Sequence, residues 1–598
     1  MDRSLGAKKY FIEGFKEYIK NTHRSLSKIY TPSIRELLLD YVEIHEDIIS
    51  NLELEKLGNA RRELIEAIQF YIKNSILLDG SPFTKELNLL MVQMNKINEK
   101  EMGEKALNYS HVYNICNSLI KKIDSSNIYL TIVELVKNYR SFIEAEKAIH
   151  FIINELMYEG YSLKYLDSWV TENLGSIELS TENVDFILNK FGKFKKSQAK
   201  YTYYINVYRN EIFKEDELYI DFNLSLIKKN FETLNFGISN GKPIKGFLQI
   251  SEDYHVCEIQ VESMDYFKGL EQILSSINSY FQMIDYVTNE KKKLYQDKII
   301  CKFPNGSYKK IRITDDIPED TKILFSKLEN RERQDVEDFI LYRERVFCEN
   351  INSQEVFNVQ RALNIVKSQL HQSEENKIIN LWAVLEYILT FKEAGGSIIS
   401  KVKDIVPKVI CLYIMKDKIN NFWSGIYEYK DENIEIVNAF MECKKENEEY
   451  QYDLSALIDF ILRKGHSLAK ELEFNNSLVR GISEIGQFLT APKRLNEYLN
   501  IKMQEIKHDL VRSYRARNVL IHSGKETRAN LNFKALRLYC YNNNLLGLLI
   551  YYLCKNPQYK ITEVLNSIDY TFENYMVGLQ EGNIPKEEIC KPNYLFIG

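Results

Sequence analysis

The sequence predicts a mostly α-helical protein with one small α+β module set between helical regions. Three observations carry that expectation. Apolar residues recur at three- and four-residue spacing over most of the 598 residues, which places them on one face of a helix. Proline is scarce, at 10 in the whole chain, so long helices can run without interruption. Only between 196 and 316 do aromatic and β-branched residues gather in short runs bounded by turn residues, the pattern of strands.

Residues 1–195 read as an N-terminal helical domain. "SIRELLLDYVEIHEDIISNL" (33–52), "ARRELIEAIQFYIKNSILL" (60–78) and "NIYLTIVELVKNYRSFIEAEKAIHFIINELMY" (127–158) all carry the helical spacing. No repeat period is visible, so a solenoid is not expected. No catalytic grouping stands out here; a sensing or docking layer is the expectation from position.

The module at 196–316 begins with "AKYTYYINVYR" and "YIDFNL", then "GFLQI" and "VCEIQVES", all read as strands. "SMDYFKGLEQILSSINSYFQMIDYV" between strands is a helix capped by Ser263 or Asp265, residue types that accept from the free N–H groups of a first turn. "IICKFPNGSYKKIRIT" (299–314) is a hairpin, with Asn305-Gly306 supplying the positive φ that a tight turn needs. A structural or partner-binding insert is the expected role.

Residues 317–598 return to helix as a C-terminal bundle. Its most apolar run, "LLGLLIYYL" (545–553), falls short of the roughly 20 residues that span a bilayer and reads as a buried helix. The N-terminus has no signal-peptide core, so no membrane segment and a cytoplasmic location are expected. Nine cysteines are scattered without C-x-x-C or zinc spacing, which fits reduced, mostly buried thiols and no metal site. A net charge of −5 removes any whole-chain basic footprint, so a nucleic-acid site must be local. No G-x-x-x-x-G-K-[ST] phosphate loop is present, and no cofactor is expected. His23, His45, His111, His150 and His255 read as isolated surface or core histidines, and Trp169 and Trp423 as core.

Two helices carry chemistry. In "ENKIINLWAVLEYILTFKE" (375–393), Ile378, Leu381, Trp382, Leu385, Ile388 and Leu389 form an apolar face, and Glu386 falls on it. A carboxylate there needs a cation or a wet cleft. In "NEYLNIKMQEIKHDLVRSYRARNVLIHSG" (496–524), Met503, Ile506, Leu510, Tyr514 and Ile521 form a stripe that contains Arg517. A guanidinium keeps its proton, so it must meet a carboxylate, a phosphate or a cleft. Asn518 and His522 are four apart on a neighbouring face. Ser523-Gly524 should stop the helix, leaving His522 in its last turn, where the helix terminus favours imidazolium by about 0.3–1 kcal/mol. Arg512, Arg515, Lys525 and Arg528, with Lys534 and Arg537 nearby, flank the pair as a basic patch that could hold RNA. Histidine for proton transfer, arginine as a charge clamp and asparagine for orientation suit metal-free RNA cleavage by a 2′-hydroxyl. Residues 517 and 522 are separated by about 140° around an ideal helix, so convergence needs the long arginine to swing, a distorted last turn, or a second copy of the motif.

"RNVLIH" (517–522) resembles the R-N-x-x-x-H motif of the HEPN superfamily, and "NLWAVLEYIL" (380–389) resembles an early helix of HEPN domains in anti-phage abortive-infection proteins. The resemblance covers roughly 350–580. It implies a four- or five-helix HEPN-like bundle at 317–598 that pairs with a second copy, and a metal-independent endoribonuclease in anti-phage or toxin-like defence. Arg517 and His522 would be catalytic, Asn518 supporting, and Glu386 an active-site polar group. One motif per chain implies a homodimer or higher even oligomer. The implied partners are RNA (tRNA or mRNA) and a phage-derived trigger or regulatory protein. The alternative is a non-catalytic dimerisation or RNA-binding scaffold or sensor, in which Arg517 only pairs with Glu386.

Overall fold

The structure is a computed structural model. It describes residues 3–20, 32–50, 54–78, 80–99, 102–175, 179–194, 197–208, 216–221, 223–236, 244–248, 253–288, 295–313, 353–369, 372–392, 396–431, 434–444, 452–522, 531–555 and 559–592. The described residues form α1 (Arg3–Lys20), α2 (Ile34–Ser50), α3 (Leu54–Lys73), α4 (Thr84–Glu99), α5 (Met102–Ser125), α6 (Ile128–Asn138), α7 (Phe142–Tyr158), α8 (Leu163–Leu174) and α9 (Val184–Phe191). Strands β1 (Ala199–Tyr208), β2 (Glu217–Asp221), β3 (Leu224–Lys228) and β4 (Tyr254–Ser263), helix α10 (Tyr266–Thr288), β5 (Tyr295–Lys302) and β6 (Tyr308–Arg312) follow. The chain ends in α11 (Ser353–Ser368), α12 (Glu374–Leu389), α13 (Ile398–Tyr427), α14 (Glu435–Met441), α15 (Leu454–Glu471), α16 (Asn476–Thr490), α17 (Pro492–His522), α18 (Leu531–Lys555), α19 (Ile561–Glu581) and α20 (Lys586–Cys590). The protein is thus mostly α, with a small antiparallel sheet in its middle. No helix among the described residues is long and apolar enough to cross a membrane.

Two compact units divide the chain. One holds the described residues of 1–154, 179–192 and 323–598; the other holds those of 155–178 and 193–322. Residues 1–195 therefore do not stand apart as the separate helical domain expected from the sequence. The reason is side-chain pairing along the length of the N-terminal helices. Glu13 of α1 accepts from the backbone N–H of Asn476 at 2.7 Å, at the start of α16. Glu146 of α7 pairs with Arg480 at 3.3 Å, and Glu63 of α3 with Lys403 at 2.7 Å.

Within the helical unit, α12, α13, α17, α18 and α19 pack on one another around Trp382, Ile410, Ile506, Leu510, Leu538, Leu549 and Ile568. Trp423 is buried in the same core. The run at 545–553 lies inside α18, where its leucines are all buried. Cys116, Cys257, Cys301, Cys411, Cys443 and Cys590 are buried free thiols, and Cys540 is a partly buried one. The stretch 127–158 is two helices rather than one. Ser141 and Glu144 cap each other: Ser141 N–H donates to the Glu144 carboxylate and Glu144 N–H to Ser141 Oγ, both at 3.2 Å. That reciprocal S-x-x-E box restarts the chain as α7.

In the smaller unit the strand order is β2-β3-β4-β1-β5-β6, and each neighbouring pair is antiparallel. Alternation sends Tyr203, Ile205, Cys257, Ile259, Ile299 and Cys301 to one face, where α10 covers them with Leu270, Ile273 and Ile277. Asp265 caps α10, its Oδ1 accepting from the N–H groups of Phe267 and Lys268 at 2.8 Å. Gly269 permits the close approach: a Cβ there would meet Tyr203 Oη at 2.7 Å and Ser263 Oγ at 2.8 Å. The hairpin turn is closed by Gly306 N–H to Phe303 O at 2.9 Å, with Gly306 at φ +83°. Two strand expectations are corrected. "YIDFNL" straddles the β2–β3 turn. The described part of "GFLQI" is a turn rather than a strand, because Leu248, with Phe247 packed beside it, plugs the second face of the sheet beside Tyr204, Phe236 and Ile300.

Burial pushes the Glu13 carboxyl up to about 7, against the opposing pull of its Asn476 hydrogen bonds. A folded-state value above the unfolded one favours the protonated acid. Its contribution is present below the ordinary carboxylate range and is lost as pH rises through about 7. Glu13→Gln keeps an acceptor for Asn476 and removes the charge. Thermal melts should show the variant gaining on wild type as pH goes from 5 to 8, by an amount equivalent to ~2 kcal/mol. A constant difference between the two across that range would contradict this account.

Candidate active site

The long helix α17 is buried on two sides. Its apolar stripe includes Ile506 and Leu510, both fully buried. A second stripe at three- and four-residue spacing is charged and also buried: Lys502, Glu505, Asp509 and Arg512. Such groups stay charged inside a protein only when paired. Lys502 donates to Glu505 at 2.6 Å. Asp509 accepts from Arg537 at 2.7 Å and from Tyr541 at 2.8 Å. Arg512 donates to Asp40 at 2.8 Å and also to Glu36, both on α2. Lys534 reaches Glu36 at 3.5 Å.

This corrects the expected basic patch. Arg512 is 4% exposed and held by two carboxylates, so it does not face RNA. Arg515 donates to the backbone carbonyl of Asp40 at 2.9 Å and stands 3.9 Å from Glu43; burial lowers its pKa, with Asp40, Glu43 and Asp47 opposing. These side chains turn inward because α2 presents Glu36, Asp40, Glu43 and Asp47 at alternating four- and three-residue steps, an acidic face for a basic one. Lys525 and Arg528 lie outside the described residues.

Arg517 is placed differently. It sits five residues from the end of α17, with its side chain 22% exposed. Its Nη2 is 3.6 Å from Glu386 Oε2, and its Nη1 donates to Asn518 Oδ1 at 3.0 Å. Glu386 accepts from the Trp382 indole N–H at 3.0 Å, one turn earlier on α12. Trp382 is fully buried and packs against Tyr514 of α17, ring centroids 5.1 Å apart. Arg517, Asn518 and Glu386 are therefore brought together, by two helices clamped through Trp382 and Tyr514. The indole donor is the member that the sequence reading counted only as apolar; its four-residue spacing to Glu386 was the available signal. His522 is the last residue of α17, at the helix end as expected; its side chain, with Ser523 and Gly524, lies outside the described residues.

No family model, curated protein or solved structure matches the chain. The chemistry of the site is accordingly read from its own groups. A guanidinium has five N–H donors. Arg512 donates through Nε and Nη2 to two carboxylates at hydrogen-bond distance, while its Nη1 is buried without a partner among the described residues. Arg517 makes one hydrogen bond, to a neutral amide, and one ion pair beyond hydrogen-bond reach. It keeps donors for a further anion.

The two arginines should separate in experiment. Arg512→Ala removes the cation bonded to both Glu36 and Asp40, leaving Glu36 only the more distant Lys534, and urea denaturation should show a loss of about 3–5 kcal/mol. Arg517→Ala, at a half-buried and loosely held position, should lose less than about 1 kcal/mol. Equal losses would contradict the different burial of the two.

Proposed function

We propose that this protein is a metal-independent endoribonuclease of HEPN type, with Arg517 and His522 as its catalytic pair and Asn518 and Glu386 in support. The observation that carries the reading is the spare hydrogen-bonding capacity of Arg517, partly exposed near the end of α17 and held by one hydrogen bond and one long ion pair. In this reading, His522 moves the proton of the 2′-hydroxyl or of the leaving 5′-oxygen. The 2′-oxygen attacks the adjacent phosphorus, the bond to the 5′-oxygen breaks, and a 2′,3′-cyclic phosphate and a free 5′-hydroxyl result. Arg517 stabilises the charge gathered on the phosphorane oxygens. Asn518 fixes the guanidinium by accepting from Nη1, and Glu386 limits its swing. The separation of residues 517 and 522 around α17 is met by a second copy of the chain, so that the arginine of one and the histidine of the other share a cleft. A defence role against phage, set off by infection or released from a regulatory partner, follows from the same resemblance.

A second reading has its own observation. The Trp382–Glu386–Arg517 chain also suits a non-catalytic scaffold in which Arg517 only joins α12 to α17. His522 separates the two, because the ion pair does not require it. With labelled RNA in EDTA, the wild-type chain should give products ending in 2′,3′-cyclic phosphate. His522→Ala should lower the rate by roughly 10²–10⁴, and Arg517→Ala by roughly 10²–10³, with both variants folded. Identical background cleavage in wild type and His522→Ala would establish the scaffold instead.

A further inference from the structure

We infer that the smaller unit carries a binding surface for single-stranded nucleic acid, on the face of the β5–β6 hairpin turned away from α10. Alternation places Lys298 and Lys302 of β5 and Tyr308, Lys310 and Arg312 of β6 on that face; Ile299, Cys301 and Ile311 take the other, under α10. The pairing register sets Lys298 opposite Arg312, Ile300 opposite Lys310, and Lys302 opposite Tyr308. Like charges directly across a strand pair destabilise it. No carboxylate compensates: among the described residues, Lys298, Lys302, Lys310 and Arg312 make no ion pair. Three of them lie over aromatic rings. Lys298 and Lys310 lie 5.8 and 5.7 Å from the Phe247 ring centroid, and Lys302 lies 5.8 Å from that of Tyr308.

The acids of this face lie elsewhere. Glu217 is on β2 and Glu258 and Glu262 are on β4, all separated from β5 by β1, and Glu258 pairs with Lys229 at 3.6 Å. Lys245, on the turn that covers the sheet, extends the positive rim; it bonds a backbone carbonyl, that of Glu232, at 3.0 Å, and lies over Phe231 at 5.8 Å. Lysines on an edge strand commonly guard it against pairing with other chains. That accounts for Lys310 and Arg312 on β6, but not for Lys298 and Lys302 on the inner strand or for Lys245.

Two partly covered aromatic rings among five cations suit one ligand class. Phosphates match a row of ammonium and guanidinium groups, and unpaired bases stack on rings such as Tyr308. A base held in a duplex offers no such face. The strand rise of about 3.3 Å spaces Lys310 and Arg312 by two residues, or roughly 7 Å, a step suited to successive phosphates of an extended strand. This inference does not rest on the cleavage reading, since it concerns binding by the other unit.

The test is fluorescence anisotropy with a labelled 12-mer of uridylate, using the full-length chain with His522→Ala so that the probe stays intact. The triple variant Lys298→Gln, Lys310→Gln, Arg312→Gln should bind at least about tenfold more weakly. The slope of log affinity against log salt should fall by about 2, three contacts at ~0.7 each. Tyr308→Leu should weaken binding by about tenfold with the slope unchanged. Circular dichroism and the thermal midpoint must match the parent for both. Tighter binding of uridylate than of thymidylate identifies RNA as the ligand; equal binding identifies either single strand, and both outcomes support the site. Unchanged affinity and slope in the folded triple variant would overturn it. So would displacement of the probe by poly-glutamate as readily as by unlabelled uridylate, which would mark an acidic protein as the partner.

Discussion

An arginine cannot escape burial by losing its proton, and the helical unit is organised around that constraint at Arg512. Once α17 places this guanidinium inside, a carboxylate must come to it. Two come from α2, more than 470 residues earlier in the chain. The same rule brings Arg537 of α18 to Asp509. These pairings fix where α2 and α18 lie on α17, and the apolar packing of Ile506, Leu510 and Leu538 fills in around them. A buried pair of this kind adds little net stability over an apolar replacement, but breaking one half of it is severe. The interaction therefore specifies an arrangement more than it strengthens it.

Of the cations Lys502, Arg512, Arg515 and Arg517 on α17, the first two hydrogen-bond to carboxylates and the last two do not. Lys502 and Arg512 have carboxylates at hydrogen-bond distance. Arg515 has a backbone carbonyl and a distant glutamate. Arg517 has an amide oxygen and an ion pair at 3.6 Å. The interior part of the helix is held rigidly, and its last turns carry the groups with capacity left over. Reactive groups projecting from a well-packed element are positioned better than groups on a loop, and α17 meets that condition.

The fold class was legible because periodicity reports it directly: the helical spacing and the Asn305-Gly306 turn needed no knowledge of what lay across from them. The union of residues 1–154 with the C-terminal helices was not, since apolar spacing says which face is buried and not against what. A clue existed in the acidic steps Glu36, Asp40, Glu43 and Asp47, which complement Arg512 and Arg515. Read alone, each set looks like a solvated face. For the same reason Arg512 and Arg515 were placed on a phosphate-binding patch, when composition could not distinguish a charge facing water from one facing a buried opposite. Glu386 and Arg517 were legible as a pair because each was a charge on an apolar stripe, an anomaly that calls for a partner. The break at Ser141 was written in its S-x-x-E signature, but the continuous apolar spacing on both sides concealed it.

Partial exposure of the Glu386–Arg517 pair has a consequence for any ligand. Exposed ion pairs contribute on the order of 0–1 kcal/mol, so exchanging the glutamate's attraction for that of a phosphate is nearly neutral in energy. The same exchange at Arg512 would strand Glu36 and Asp40 in the interior. Trp382 helps by giving Glu386 a hydrogen-bond partner of its own: when the guanidinium turns toward an anion, the carboxylate is left bonded rather than bare. The loose geometry at Arg517 is thus what a guanidinium needs if it is to be held in place before an anion arrives and released to it afterwards.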